Sequence, residues 1–195
     1  MEFLDEKILE FRRRARNEEH MDLESGMYID GELMEFERVK LFDGKMDIML
    51  PSSFIDLPSN LARIKYPSEQ RPHIIKTSLD TSVNMTFSLY GMKIRCDQTK
   101  KAAEEFRMVI KKVNPAYVFY DLEEEELGNS SVSWFDFKGF CVDDPIYYMM
   151  YVTPVGGYLM HGIFNCPYKK LAEWRDAARR MMRSIHDCTG EETRI

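Results

Sequence analysis

The densest hydrophobic pattern of the chain lies near its C-terminus. Two apolar segments, residues 146–154 and 158–165, flank a pair of glycines, and this arrangement predicts a β-hairpin. The segment that follows repeats apolar residues every three or four positions, which is the period of an amphipathic helix. The repeating positions are Leu171, Trp174, Ala178, Met181 and Ile185. We therefore expect two central strands and a helix that begins at Pro167 and covers them.

Shorter patterns upstream predict the rest of one domain. Alternating apolar runs around an Asp-Gly pair at 43–44 predict a hairpin within residues 32–51. An irregular connection is expected over 52–72, then two strands at 73–78 and 83–89, a helix, and four strands joined by short loops. The apolar stripe of this helix comprises Ala102, Phe106, Val109, Ile110 and Val113. The order predicts an α+β fold, a mainly antiparallel sheet with helices packed on it.

The N-terminal residues predict an appendage to this domain. Apolar residues within 3–16 recur at helical spacing opposite an arginine-rich face, so a helix is expected there. Such a helix either docks on the domain or serves as a mobile handle for a partner. Residues 17–31 are polar and end in Asp-Gly, which is typical of a linker. The expected boundaries are 1–31 for helix and linker, 32–188 for the domain and 189–195 for a tail.

Composition and charge narrow the class of protein. The chain has 195 residues, 44% hydrophobic and 31% charged, and these proportions are typical of a soluble globular protein. Its formal charge of −6 argues against general affinity for nucleic acids, which depends on a basic surface. No apolar run approaches the roughly 20 residues that cross a bilayer, and no secretory signal is evident. We therefore expect a cytoplasmic protein without a membrane span.

The sequence contains few residue patterns that are typical of catalytic or metal-binding sites. The four cysteines and four histidines have no CxxC, HxH or HExxH spacing, so the sequence predicts free thiols and neither a metal nor a cofactor. Cys166 precedes the expected helix start, and a helix N-terminus favours a thiolate. His161 lies five positions upstream, an odd offset that places it on the opposite strand face and out of reach as a base. The acidic run 123–126 is expected to be a solvated strand edge.

Three short segments resemble a known family. They are Leu-Pro-Ser-Ser-Phe at 50–54, Trp-Phe-Asp-Phe at 134–137 and the strand-to-helix passage at 164–174. With the element order over residues 35–186, they resemble the PsbP-like superfamily and, within it, the DcrB-like group. The resemblance implies an α/β/α sandwich and a role without catalysis. Members act as lipoproteins, photosystem accessory subunits, Ran-binding import factors and chaperones of type VI secretion effectors (the Eag group).

The strand at 146–152 is apolar on both faces. We therefore expect the partner-binding surface to lie on or beside this strand. One face must meet the C-terminal helix, whereas the other is either buried or exposed as a trough. Methionine repacks readily, which suits a surface that accepts several partner sequences. We expect a non-enzymatic protein-binding module, an adaptor or chaperone that shields an apolar segment of a partner. The alternatives are a domain that binds a small molecule or lipid and a thiol-dependent enzyme that uses Cys166. The predicted partner contacts are Tyr148, Met150, Tyr158 and Met160.

Overall fold

The computed structural model describes residues 20–128, 130–141 and 144–190. The helices are α1 (Ser59–Lys65), α2 (Thr99–Val113) and α3 (Leu171–Arg183), and short 3-10 turns precede α2 and α3. The strands are β1 (Met21–Asp22), β2 (Gly26–Ile29), β3 (Glu32–Met34), β4 (Phe36–Leu41), β5 (Met46–Pro51), β6 (Ile55–Asp56), β7 (Ile74–Thr77), β8 (Asn84–Lys93), β9 (Val118–Leu127), β10 (Ser130–Phe140), β11 (Pro145–Val155), β12 (Tyr158–Pro167) and β13 (His186–Asp187).

The central sheet of the described chain has seven strands in the order β6-β7-β8-β12-β11-β10-β9, and every neighbouring pair is antiparallel. Its middle is the predicted hairpin. Strands β11 and β12 pair from Ile146 opposite Pro167 to Val155 opposite Tyr158. The two glycines of the turn have φ angles of 59° and 75°, as the tight turn of a two-residue hairpin requires. The prediction of a mainly antiparallel α+β fold is confirmed.

A three-layer arrangement explains why both faces of β11 are apolar. Tyr147, Met149 and Tyr151 belong to the core beneath α3. Met150 and Val152 belong to a second core beneath α2. Successive residues of a strand point to opposite faces, so a strand covered on both sides needs apolar residues throughout. The alternative of an exposed trough along the middle of this strand is therefore wrong.

Helix α2 packs on the sheet with three of the five residues of the predicted stripe, Ala102, Phe106 and Ile110. Val109 and Val113 are 60% and 71% exposed, so the prediction is wrong for these two residues. The first turn is fixed by hydroxyl groups, because Thr99 Oγ1 lies 3.1 Å from Ser131 Oγ and accepts a hydrogen bond from Ser133 Oγ at 3.0 Å. These contacts place Thr99, which is fully buried, against the sheet as well. The residues that α2 packs against the sheet are Thr99, Ala102, Ala103, Phe106 and Ile110.

Helix α3 covers the opposite face, as predicted. Trp174 is 2% exposed, and the centroid of its ring lies 6.0 Å from that of Phe54 and 5.9 Å from that of Phe164. A small sheet in the order β13-β5-β4 completes this layer and contributes Met46 and Ile48 to the same core. Its β4–β5 pair is the hairpin predicted around the Asp-Gly turn.

Part of the acidic run on β9 binds α3. Arg179 Nη2 donates to Glu123 Oε1 at 2.5 Å, and Arg183 Nε donates to Glu125 Oε2 at 2.6 Å. Residues two apart on a strand share a face, so alternate glutamates of the run are directed at the helix. The prediction of a merely solvated edge is thus incorrect for these two residues.

The segment before β3 belongs to the domain. Residues 20–31, which were expected to form part of a linker, include β1 and β2, and their apolar side chains Leu23, Met27 and Ile29 are at most 9% exposed in the core beneath α3. The linker prediction is therefore wrong over this range. The helix predicted within 3–16 lies outside the described residues. The connection at 52–72 is also more ordered than predicted, because it contains β6 and α1.

Candidate functional site

The four predicted partner contacts do not form one surface. Met150 and Met160 are 2% and 0% exposed, and they belong to the cores on opposite faces of the sheet. A partner cannot touch either methionine while the sheet is folded, which corrects this part of the prediction. Tyr158 is 41% exposed, whereas Tyr148 is half-buried near the opposite end of the hairpin. Of the four, only the two tyrosines are accessible, and Tyr148 faces a cleft.

This cleft lies where β8, β11 and β12 approach the end of α1. Asn165 on β12 pairs with Asn84 on one side and with Tyr148 on the other, so three neighbouring strands place these side chains in one row. The cavity measures about 410 Å³ and is open to solvent. We call it the amide cleft, and the residues that define it are Lys65, Tyr66, Asn84, Tyr148, Asn165 and Lys169.

Two carboxamides form the floor of the amide cleft. Thr77 Oγ1 donates to Asn84 Oδ1 at 2.8 Å, and Asn84 Nδ2 donates to Asn165 Oδ1 at 3.0 Å. Asn84 is 3% exposed, and these bonds compensate for burying its amide in a strand. Asn165 is the more exposed member of the pair. A carboxamide carries two N–H donors and an oxygen with two lone pairs, so Asn165 can both donate to and accept from a bound group.

Aromatic rings form the walls. The Tyr148 ring stacks on Phe137 with centroids 4.8 Å apart and planes inclined by 9°, which fixes its orientation. Tyr66 is the residue directly after α1 and lines the cleft. Burial raises the pKa of both Tyr66 and Tyr148. Both phenols therefore keep their protons at neutral pH and can donate hydrogen bonds.

Two lysines, Lys65 and Lys169, lie at the mouth of the amide cleft. Lys65 Nζ donates to the carbonyl oxygen of Thr81, and partial burial lowers the pKa of Lys65. Lys169 Nζ lies 3.9 Å from Asp144 Oδ2, with both side chains about two-thirds exposed or more. Two ammonium groups therefore face one carboxylate among the described residues that line the cleft. An acidic group on a bound molecule would be attracted to this mouth.

Cys166 is not a helix cap. Strand β12 continues through Cys166 to Pro167, and a 3-10 turn at Tyr168–Lys170 separates it from α3. Cys166 is fully buried, and burial raises the pKa of its thiol to about 12. His161 packs against Phe106 of α2 on the other sheet face, as strand parity predicts. The thiolate predicted from a helix N-terminus is therefore not favoured here.

The side chain of His161 is expected to make the stability of the folded protein depend on pH. Its ring stacks on Tyr90 with centroids 5.2 Å apart, and burial, with a smaller contribution from His73, lowers its pKa to about 4. In the unfolded chain the imidazole binds a proton below about pH 6.5, whereas in the folded protein it does so only below about pH 4. Between these two values protonation therefore favours the unfolded state. We expect the free energy of unfolding to fall by about 2 kcal/mol between pH 6.5 and 5 because of this residue.

Urea unfolding followed by circular dichroism at several pH values measures this effect. The variant His161→Phe should lose the decrease over that interval, whereas His20→Phe, outside this aromatic contact, should keep the wild-type profile. Equal pH profiles for His161→Phe and the wild type would contradict the prediction.

The sequence did not identify most residues of the amide cleft. Lys65, Tyr66, Asn84 and Asn165 come from separate segments, and no local motif links them. One signal was present in the sequence. Asparagine is depleted in strands, so the two asparagines at 84 and 165 within apolar strand patterns indicate positions with a polar partner.

Comparison with known proteins identifies the fold. No protein-family model and no curated protein matches the sequence. Among solved structures, cyanobacterial PsbP (CyanoP) from Synechocystis is similar, with 13% identity, 78% of this chain and 92% of that chain covered, and a TM-score of 0.58. LpqN, involved in cell envelope biogenesis of Mycobacterium tuberculosis, is also similar, with 14% identity, coverage of 85% and 96%, and a TM-score of 0.50.

These similarities confirm the PsbP-like part of the prediction at the level of the fold, and assignment to the DcrB-like group remains a prediction. None of the helices in the described residues combines the length and apolar character needed to span a bilayer. The chain thus has a PsbP-like α+β fold with an open, amide-lined cleft at one end of its central sheet.

Proposed function

We propose that the protein is a non-enzymatic protein-binding module whose amide cleft holds a short extended segment of a partner protein. The observation that carries this proposal is the floor of the cleft, where the carboxamides of Asn84 and Asn165 lie in one row with the Tyr148 ring. A peptide backbone offers alternating donors and acceptors, and a carboxamide can satisfy both. In line with the resemblance to secretion chaperones, we propose that the module acts in the cytoplasm as an adaptor or chaperone.

The cleft favours a particular kind of segment. An aromatic or branched apolar side chain fits between Tyr66 and Tyr148, where burial contributes roughly 25 cal/mol per Å² before the cost of ordering the peptide. An aspartate or glutamate beside it fits the two ammonium groups, Lys65 and Lys169, at the mouth. Electrostatic attraction of this kind adds specificity and speeds association more than it adds affinity.

A small-molecule or lipid ligand is the second candidate, and the size of the cleft supports it. Its volume of about 410 Å³ falls within the roughly 300–1,000 Å³ typical of ligand sites. A small ligand that raises the melting temperature of the wild type but not of Tyr66→Ala, without any peptide binding, would favour this candidate over the peptide.

Selection of phage-displayed random peptides against the immobilised full-length chain tests the first candidate. We expect enriched peptides to combine an aromatic or branched residue with an acidic one. In fluorescence anisotropy, Tyr66→Ala should weaken their binding about tenfold or more, because interface aromatics carry much of the binding energy. Lys169→Glu should weaken it by about three- to tenfold, since its effect is mainly electrostatic.

The matched control is Tyr28→Ala, a half-buried tyrosine of β2 that does not line the cleft, and it should leave binding unchanged. Tyr158, the other accessible residue among the predicted contacts, lies at the opposite end of the hairpin from the cleft, so Tyr158→Ala should also leave binding unchanged. Failure to enrich any peptide, or equal binding to the wild type and Tyr66→Ala, would overturn the proposal.

A further inference from the structure

A second group of reactive side chains lies away from the amide cleft, on the small sheet β13-β5-β4. Asp47 on β5 is directly opposite His186 on β13, and Cys188 follows two residues later. The Cys188 N–H donates to the Lys45 carbonyl oxygen at 2.9 Å, which continues the pairing past the end of β13. Residues two apart on a strand share a face, and opposite residues on paired strands are neighbours. The backbone therefore brings a carboxylate, an imidazole and a thiol together.

The distances between the donor atoms are those of a metal site. Cys188 Sγ lies 3.4 Å from Asp47 Oδ2 and 3.6 Å from His186 Nδ1, and His186 Nδ1 lies 3.8 Å from Asp47 Oδ2. In a tetrahedral zinc site, with Zn–S bonds of about 2.3 Å and Zn–N and Zn–O bonds of about 2.0–2.2 Å, ligand atoms are roughly 3.3–3.6 Å apart. The three atoms thus match one face of such a tetrahedron to within a few tenths of an ångström.

The three types of donor atom favour zinc over magnesium and calcium. Thiolate, imidazole and carboxylate are the three ligand types that zinc takes in proteins, whereas magnesium and calcium prefer oxygen alone. Arg38 Nη1 donates to Asp47 Oδ1 at 2.5 Å, so this arginine holds the carboxylate while Oδ2 faces His186 and Cys188. Hydrogen bonds from an outer residue commonly orient a metal-binding carboxylate in this way.

We propose that Asp47, His186 and Cys188 bind one zinc ion. Asp47 and His186 also line an open cavity together with Arg38 and Arg183, from which solvent could supply a fourth ligand. Ligands from two strands tie β13 to β5, so binding stabilises the sheet that forms part of the core layer of α3. The sequence predicted no metal because 139 positions separate Asp47 from His186, and no spacing motif spans such a distance.

Cobalt substitution of the tag-free, chelator-treated full-length chain tests this site directly. Titration with Co²⁺ should saturate at one ion per chain and produce the thiolate-to-metal charge-transfer absorption and intense visible bands of a tetrahedral site. Zn²⁺ should displace Co²⁺ and raise the melting temperature of the protein. Cys188→Ser should remove the charge-transfer band and weaken Zn²⁺ binding, measured by isothermal titration calorimetry, about tenfold or more.

Two further variants keep the test decisive. His186→Gln removes a ligand whose side chain is about half exposed, and it should weaken Zn²⁺ binding about tenfold even if Cys188→Ser does not fold. Cys141→Ser changes an exposed cysteine away from the site and should leave binding unchanged. Absence of saturable binding of one ion per chain, or affinity that neither Cys188→Ser nor His186→Gln lowers, would overturn the proposal. In that case the three groups form a hydrogen-bonded cluster without a metal.

Discussion

Replacing Gly162 by alanine is expected to cause the largest loss of stability predicted here. Gly162 lies in β12, at the centre of the main sheet, opposite Tyr151 on one side and Phe87 on the other. A Cβ at this position would lie 2.1 Å from the Thr86 carbonyl oxygen and 2.2 Å from Tyr151 Oη. Real Cβ contacts essentially never fall below 3.0 Å, so the backbone or the tyrosine must move.

Neither group near Gly162 can move easily. Tyr151 is fully buried, and its hydroxyl donates to the same Thr86 carbonyl oxygen at 2.8 Å. Shifting the ring would break this bond in a dry core, and shifting Thr86 would break the pairing of β8 with β12. We expect a loss of about 4 kcal/mol or more, which is a large part of the roughly 5–15 kcal/mol that stabilises a typical domain.

Soluble yield and urea unfolding measure the effect of Gly162→Ala. The matched control is Gly91→Ala on β8, where an added Cβ meets no atom within 4 Å, and its stability should stay within about 0.5 kcal/mol of the wild type. A soluble Gly162→Ala protein with the wild-type unfolding midpoint would show that the Tyr151 ring is not held across this glycine.

The sequence predicted the elements whose pattern is local. The β11–β12 hairpin and α3 follow from alternation and helical spacing within forty residues, and the structure has both. Predictions failed where a tertiary contact overrides the local pattern. Pro167 is typical of a helix start, yet its pairing with Ile146 extends β12 through it. Residues 20–31 are mostly polar and were therefore predicted to be a linker, yet three of their apolar side chains pack in the core beneath α3.

The sites were harder to predict than the fold. Tyr148 and Met150 are equivalent in an alternating pattern, and only the covering helix α2 decides that one is accessible and the other is buried. The amide cleft and the proposed zinc site of Asp47, His186 and Cys188 each combine residues from distant segments. Sheet register brings them together, and register is set by pairings that no single segment encodes.

Replacing Asp136 by alanine is expected to produce the second large loss of stability. Asp136 is 1% exposed, and its Oδ2 accepts hydrogen bonds from Arg175 Nε at 3.2 Å and Nη2 at 3.0 Å, with Arg179 Nη2 at 3.5 Å. Removing one partner of a buried ion pair costs about 3–5 kcal/mol, because the other charge is left unpaired. The two arginine side chains are 46% and 22% exposed and can partly rehydrate, so we expect a loss of about 3 kcal/mol.

The matched control for this prediction is Asp176→Ala. Asp176 pairs with Arg180 one helical turn away on the exposed side of α3, and pairs of this kind contribute about 0.5 kcal/mol or less. Urea unfolding should therefore separate the two variants by roughly 2.5 kcal/mol. Equal stability of Asp136→Ala and Asp176→Ala would contradict the prediction.

A combined variant identifies the cause of the loss. If Asp136→Ala is unstable because the guanidinium groups beside it lose their partner, replacing the group as a whole should restore stability. Asp136→Leu with Arg175→Met and Arg179→Met exchanges the ion pairs for apolar contacts, and such exchanges are often neutral. A triple variant as unstable as Asp136→Ala would show instead that Arg179 holds α3 on β9 and β10 through its contacts with Glu123 and the Trp134 ring.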